Sequence, residues 1–246
     1  MSEQILIIGA GSGIGQGLVQ HYLQQGDQVQ AISRGACPPA LATTALNWLQ
    51  LTEADVASKE DAQESAINSV VTEAVAARPD IVFICQGWLH DNQYGPEKTL
   101  RQLTAAQMQK SFAINVVQPA LYLKALFGYL TRQQQVKVLV LSAKVGSITD
   151  NQLGGWYSYR ASKAAINMLV KTSSIELGRY NKTATLVSLH PGTTDTALSA
   201  PFQANIPTGQ LQSTAATAKR LAMVAANLTS EHSGQLLNWD GTVLPF

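Results

Sequence analysis

Charge is scarce in this chain. Of its 246 residues only 13% are Asp, Glu, Lys or Arg, the formal net charge is +1, and no block of like charges occurs. That argues against the basic stripe of a nucleic-acid binder and the polybasic patch of a protein held on an anionic membrane. Cysteine is equally sparse: Cys37 and Cys85 are too few for a disulfide framework, and Cys85 closes the apolar run "DIVFIC" as a buried thiol. Long hydrophobic runs are missing, since none approaches the ~20 apolar residues of a membrane span. The opening "MSEQILIIGAGSG" has a short apolar stretch and no basic flank, unlike a signal peptide. The expectation is a soluble, cytoplasmic protein with no nucleic-acid or membrane partner. Linkers and low-complexity segments are also lacking, so residues 1–246 read as one domain.

What is present is a 46% hydrophobic chain in which short β-rich runs alternate with helical patterns. The strand runs are "QILIIGA", "DQVQAIS", "DIVFIC", "VKVLVLS", "ATLVSLH" and "GQLLNWDG", with a further one near "LNWLQL". Helical patterns cover 13–25, 59–77, 104–131, 155–180 and 213–227. Strands that are apolar almost throughout are buried on both faces, as in a parallel sheet between helical layers. The spacing predicts one doubly wound Rossmann domain, α/β, with about seven strands and helices on both faces. Thr104 with Gln107 makes a capping-box pattern, and Pro119 should kink the long helix that follows. Segment 191–212, with three prolines and weak periodicity, reads as a loop.

The first strand is followed by Gly9, Gly11, Gly13 and Gly15. The usual G-x-G-x-x-G does not fit from any start; G-x-x-x-G-x-G does, through Gly9, Ser12, Gly13, Ile14 and Gly15. Glycines permit a tight turn, and the helix start behind them offers free N–H groups to a phosphate. At the end of the second strand a carboxylate would bond a ribose 2′-hydroxyl and select NAD(H). This chain has Ser33 and Arg34 there, and no carboxylate in 35–50, so NADP(H) is favoured over NAD(H).

Tyr-x-x-x-Lys occurs twice. Tyr94 and Lys98 flank "GPE", which breaks a helix, whereas Tyr159 and Lys163 lie in "YRASKAAINMLV", a good helix former that stacks residues four apart. An ammonium beside a phenol favours the phenolate and makes a usable acid and base near neutral pH. A surface tyrosine stacked on a lysine stem explains the pair equally well on these residues alone.

Together, Gly9-x-x-x-Gly13-Ile14-Gly15, Tyr159-x-x-x-Lys163 and "PGTTDT" resemble the classical short-chain dehydrogenases/reductases in order and spacing across the chain. "GSITDNQLGGWYSYRASKAA" and "WDGTVLPF" are similar to the sniffer-type carbonyl reductases and the C-factor-like proteins of bacteria. The resemblance implies an NADP(H)-dependent reduction of a small ketone or aldehyde, with Tyr159 as general acid and Lys163 on the nicotinamide ribose. It implies that Asn115 holds a water of the proton relay and that Asp55 and Val56 contact the adenine. Gln86 and Gly87, in "CQG", stand where the family writes Asn-Ala-Gly. Pro191, Gly192, Thr194 and Thr196 match the loop over the nicotinamide, and a homodimer or homotetramer is the family's habit. Leu89, Leu153, Trp156 and the 193–209 loop are expected to line the substrate pocket. The C-factor side leaves a second function open, a dinucleotide-binding signalling or regulatory protein with weak or no turnover.

One family feature is missing. The substrate-orienting serine stands three residues before a glycine, and counting back from Gly146 lands on Ala143. Ser142 is one residue early and faces away unless the strand end bulges; Ser147 lies in the loop. Ser142 is the expected orienting hydroxyl, because a strand end is the firmer platform. Ser147, or no serine at all, is the alternative.

Overall fold

A computed structural model describes residues 2–51, 60–207 and 209–246. Its strands are β1 (Gln4–Ile8), β2 (Gln28–Ser33), β3 (Leu46–Gln50), β4 (Ile81–Ile84), β5 (Lys137–Leu141), β6 (Thr185–Leu189), β7 (Leu236–Leu237) and β8 (Val243–Leu244). They form one eight-stranded sheet in the order β3-β2-β1-β4-β5-β6-β7-β8. All pairs are parallel except the last, where β8 runs back against β7. The sheet therefore has one strand more than expected: "GQLLNWDG" pairs only through Leu236–Leu237 before the chain turns at Gly241, φ +86, and returns.

Alternation along β1 shows how the two layers arise. Ile5 and Ile7 pack on one face with α1 (Gly13–Gln25) and α6 (Thr214–Asn227); Leu6 and Ile8 pack on the other with α2 (Glu60–Val75), α4 (Gln118–Leu130) and α5 (Tyr157–Tyr180). Each fully buried aliphatic of this kind contributes about 1.5–3 kcal/mol relative to exposure. Helix ends follow local chemistry. Ser12 caps α1 by accepting the Gly15 N–H at 3.0 Å, and Ser213 caps α6 by accepting the Ala216 N–H at 3.1 Å. Gly26 closes α1 in the left-handed region, φ 84.

The long helix predicted over 104–131 is three pieces: α3 (Ala105–Phe112), a π-helical turn (Ala113–Val117) and α4. Thr104 caps α3 as expected, but Gln107 does not complete the box; its side-chain amide donates to the Gly95 carbonyl at 2.7 Å. Pro119 acts through its missing N–H. Across the π turn the Gln118 N–H reaches back five residues to the Ala113 carbonyl, and Pro119 has no N–H to offer the Asn115 carbonyl.

Strand order reverses between β1 and β4. In an open α/β sheet such a switch point opens a crevice beyond the strand C-termini. No helix among the described residues is long and apolar enough to cross a membrane.

Candidate active site

The crevice is a cavity of about 440 Å³ whose lining includes Gly9, Gly11, Ser12, Ser33, Arg34 and Gln86. The glycines serve different needs. Gly9 is left-handed, φ +81, and a Cβ there would sit 3.2 Å from the backbone of Cys85 and Gln86. A Cβ on Gly15 would collide with the Gly9 carbonyl, so this glycine closes the turn on itself. Gly13 makes room for Thr196, whose Cγ2 would lie 2.7 Å from a Cβ. Gly11, outside the fitted motif, is needed because a Cβ would come 2.6 Å from the Ser33 hydroxyl. The loop thus brings Gly11, Ser12 and the start of α1 against the end of β2. Ser33 is buried and its hydroxyl accepts the Gly35 N–H at 3.2 Å, while Arg34 is exposed at the rim. Gln16, Gln118 and Tyr122 also line the cavity and carry no motif that would have singled them out.

A dinucleotide fits this chemistry. The Gln86 Oε1 is buried without a partner in the wall, an acceptor that a ribose hydroxyl would satisfy. Gly87 carries the wall on toward Lys163, whose Nζ lies 3.8 Å from where a Cβ on Gly87 would stand. Asp55 and Val56 lie outside the described residues.

Tyr159 and Lys163 occupy the first two turns of α5. Lys163 is 3% exposed; its Nζ donates to the Leu141 carbonyl at 3.1 Å and lies 5.7 Å from the centroid of the Tyr159 ring. Burial pushes the ammonium down to about 8 and the Tyr159 phenol up. Desolvation acts on both groups against their charged forms.

Asn115, 1% exposed in the π turn, spends its side chain on the protein: Oδ1 accepts the Trp88 N–H at 2.7 Å, and Nδ2 donates to the Trp88 carbonyl at 2.9 Å. Pro119 has no N–H to donate to the Asn115 main-chain carbonyl four residues back.

Ser142 does not face the crevice, and its expected role is corrected. The strand continues without a bulge through Ser142, whose N–H donates to the Leu189 carbonyl at 2.8 Å. Its hydroxyl turns to α5 and donates to Asn167 Oδ1 at 2.7 Å. Ala143, extended at φ −151 and ψ 148, takes the opposite face. Ser147 is buried as well, and its hydroxyl accepts the Asp150 N–H at 3.1 Å. Gly146 lets this loop lie on α5, since a Cβ would stand 2.8 Å from the backbone of Lys163.

The loop after β6 reaches the start of α1, where Thr196 lies against Gly13. Gly192 is left-handed, φ +76, with Trp239 3.1 Å from a would-be Cβ, and Pro191 precedes it. The Thr194 hydroxyl pairs with that of Thr217 at 2.9 Å, and the Thr196 hydroxyl reaches the Thr194 carbonyl at 3.4 Å. Further along, Phe202 packs on Trp156 (ring centroids 5.3 Å) and on His90 (5.4 Å), and Trp156 meets Tyr159 (6.2 Å). Trp156 thus lies beside the Tyr159 ring, while Leu153 is 92% exposed and Leu89 is buried. Phe202 and His90 join by tertiary contact alone.

The sequence model of the short chain dehydrogenase family matches residues 3–207. The C-signal of Myxococcus xanthus is 31% identical over 141 residues, covering 57% of this chain and 80% of that protein. Among solved structures, the carbonyl reductase Sniffer of D. melanogaster superposes with a TM-score of 0.83 at 21% identity, covering all of both chains. The NADPH-bound carbonyl reductase from chicken fatty liver gives 0.81 at 24%, covering 100% of this chain and 99% of that one. At these identities the two structures establish the shared fold.

Proposed function

Because the chain belongs to the short-chain dehydrogenase family, we propose that it reduces a small ketone or aldehyde with NADP(H). The observation that carries this reading is the closeness of two features: a crevice with a phosphate-ready glycine loop beside Ser33 and Arg34, and the Tyr159–Lys163 pair next to Gly87 in its wall. The start of α1 and the Ser12–Gly15 turn hold the pyrophosphate, Arg34 and Ser33 hold the 2′-phosphate, and Gln86 Oε1 accepts from a ribose hydroxyl. When bound, the nicotinamide supplies the hydride. Lys163 Nζ, held by the Leu141 carbonyl, keeps donors for the nicotinamide ribose. Tyr159, a phenol that is protonated near neutral pH, gives its proton to the carbonyl oxygen as charge develops there. The Asn115 carbonyl and Lys163 then anchor the water that returns a proton. Ser142 stays with Asn167, Ala143 brings no hydroxyl, and Tyr159 is the side-chain donor to the oxyanion. Phe202, Trp156 and His90 exclude water from the acyl side.

The chain acts as a homodimer or homotetramer in this reading, through a groove between α4 and α5 of about 330 Å³ lined by Leu123, Phe127, Leu169 and Leu177. Light scattering checks this, and a monomer at micromolar concentration opposes it. Oxidation of NADPH against a panel of ketones and aldehydes, with NADH in parallel, tests the reaction. The C-signal match favours one other reading, a regulatory protein that binds NADP(H) without turnover. Tight NADPH binding with no carbonyl reduced would select it.

A further inference from the structure

We propose that Glu97 is a positioning residue for the reactive helix: reaching in from the segment after β4, it sets the first turn of α5 and with it the Tyr159 phenol. Only the kinetic part of the test rests on the carbonyl-reductase reading.

Glu97 is 2% exposed, a burial that carboxylates rarely reach unless paired, and no ion pair among the described residues includes it. Its hydrogen bonds go to one place. The Glu97 main-chain carbonyl accepts the Trp156 N–H at 2.5 Å, Oε2 accepts the Ser158 N–H at 3.2 Å, and Oε1 accepts the Ser158 hydroxyl. Helix α5 needs such help. A helix start leaves N–H groups without partners, and here the cap residue, Trp156, is left-handed (φ 52, ψ 43) and supplies no capping side chain. Gly154 and Gly155 before it are left-handed too, φ 64 and 65. Three such residues in a row bring the chain into the helix with no local acceptor. Glu97 provides the acceptor from 61 residues upstream.

Tyr159 is the residue after Ser158, and Lys163 lies one turn on. The anchoring continues inward. The Ser111 hydroxyl lies 3.2 Å from the Ser158 carbonyl and 3.1 Å from the Ser162 hydroxyl. Ser162 in turn donates to the Tyr159 carbonyl at 2.8 Å. Asn115 Nδ2 lies within hydrogen-bonding distance of both serine hydroxyls, at 3.2 Å and 3.0 Å. A buried chain Glu97–Ser158–Ser111–Ser162–Asn115 thus ties the β4 segment to both sides of the reaction centre. An apolar side chain would fill the same space without the desolvation of a carboxyl group. What it would lack is direction: the two oxygens fix where the first turn starts. The decoy "YGPEK" therefore matters through its glutamate, between the tyrosine and lysine that drew attention to it.

The test compares Glu97→Ala with Glu97→Gln, which keeps an acceptor oxygen. In Glu97→Ala kcat should fall about 10-fold or more, since misplacement of a reacting group by ~1 Å costs up to ~10²-fold. KM for the carbonyl and Kd for NADPH should hold. Amide hydrogen exchange should speed up in peptides covering 157–163 and stay unchanged in β4 and β5. Glu97→Gln should recover most of kcat and of the protection. If Glu97→Ala does not fold, Glu97→Asp, one methylene short, takes its place with the same expectations. An unchanged kcat, a loss shared equally by KM and Kd, no recovery with Gln, or unaltered exchange at 157–163 overturns the proposal. If the wild type reduces no carbonyl, the proposed reaction falls, and the exchange comparison still decides the role of Glu97.

Discussion

Ser142 and Ala143 differ in which way they face, and the difference decides what each can do. Ser142 gives its hydroxyl to Asn167, whose Nδ2 is already without a partner. Ser142→Ala should therefore destabilise the fold by about 1–2 kcal/mol, as when a buried acceptor is orphaned, and leave kcat nearly unchanged. Ala143→Ser should leave kcat equal or higher. Denaturant titration beside steady-state kinetics checks both, and a large kcat loss in a fully stable Ser142→Ala would restore the serine to the chemistry. The alternation that turns Ser142 away was legible in the sequence; only the absence of a bulge had to be seen. Arg34 is the clearest reading at this scale. Arg34→Ala should weaken NADP(H) by about 1–3 kcal/mol, as for a lost charge-assisted hydrogen bond, and hardly touch NAD(H), as measured by calorimetry. Lys163 gives a pH prediction. Burial places it at about 8 in the folded protein against an ordinary value of 10.5, so the penalty is present in full below pH 8 and is relieved as pH rises toward 10.5. Cofactor-free Lys163→Met should be more stable than wild type at pH 7 by roughly 3 kcal/mol at most. The gap should narrow across that window, and a gap constant with pH would contradict the buried, depressed amine.

Elements were legible in type and less so at their joints. The helix carrying Asn115 was plain from its periodicity and Pro119 was plain as a disturbance. That it would produce a π turn depends on how the freed carbonyls are met in three dimensions. Pro119→Ala returns an N–H within reach of the Asn115 carbonyl. It should raise the melting temperature slightly and lower kcat, because the relay loses its acceptor; an unchanged kcat would remove that carbonyl from the account. Glu97 with Ser158 and Phe202 with Trp156 were invisible for another reason. Both join residues more than forty positions apart, by hydrogen bonds or ring contact that leave no local pattern.

At the scale of the whole molecule, alternating strand and helix patterns and apolar strands on both faces were enough for the doubly wound sheet. The eighth strand escaped because two residues leave no period to read. In the proposed reading the crevice lined by Gly9, Gly11, Ser33 and Arg34 is the cofactor end, and Tyr159 and Lys163, next to Gly87 in its wall, are the reactive end. The account stands on Tyr159 acting as the proton donor between them. The most direct test is Tyr159→Phe against wild type with the best carbonyl of the panel, with Kd for NADPH determined on the same preparations. The account predicts a fall in kcat of about 10²–10⁴-fold, the range of a lost general acid, with Kd for NADPH unchanged. Substantial carbonyl reduction by Tyr159→Phe would contradict it.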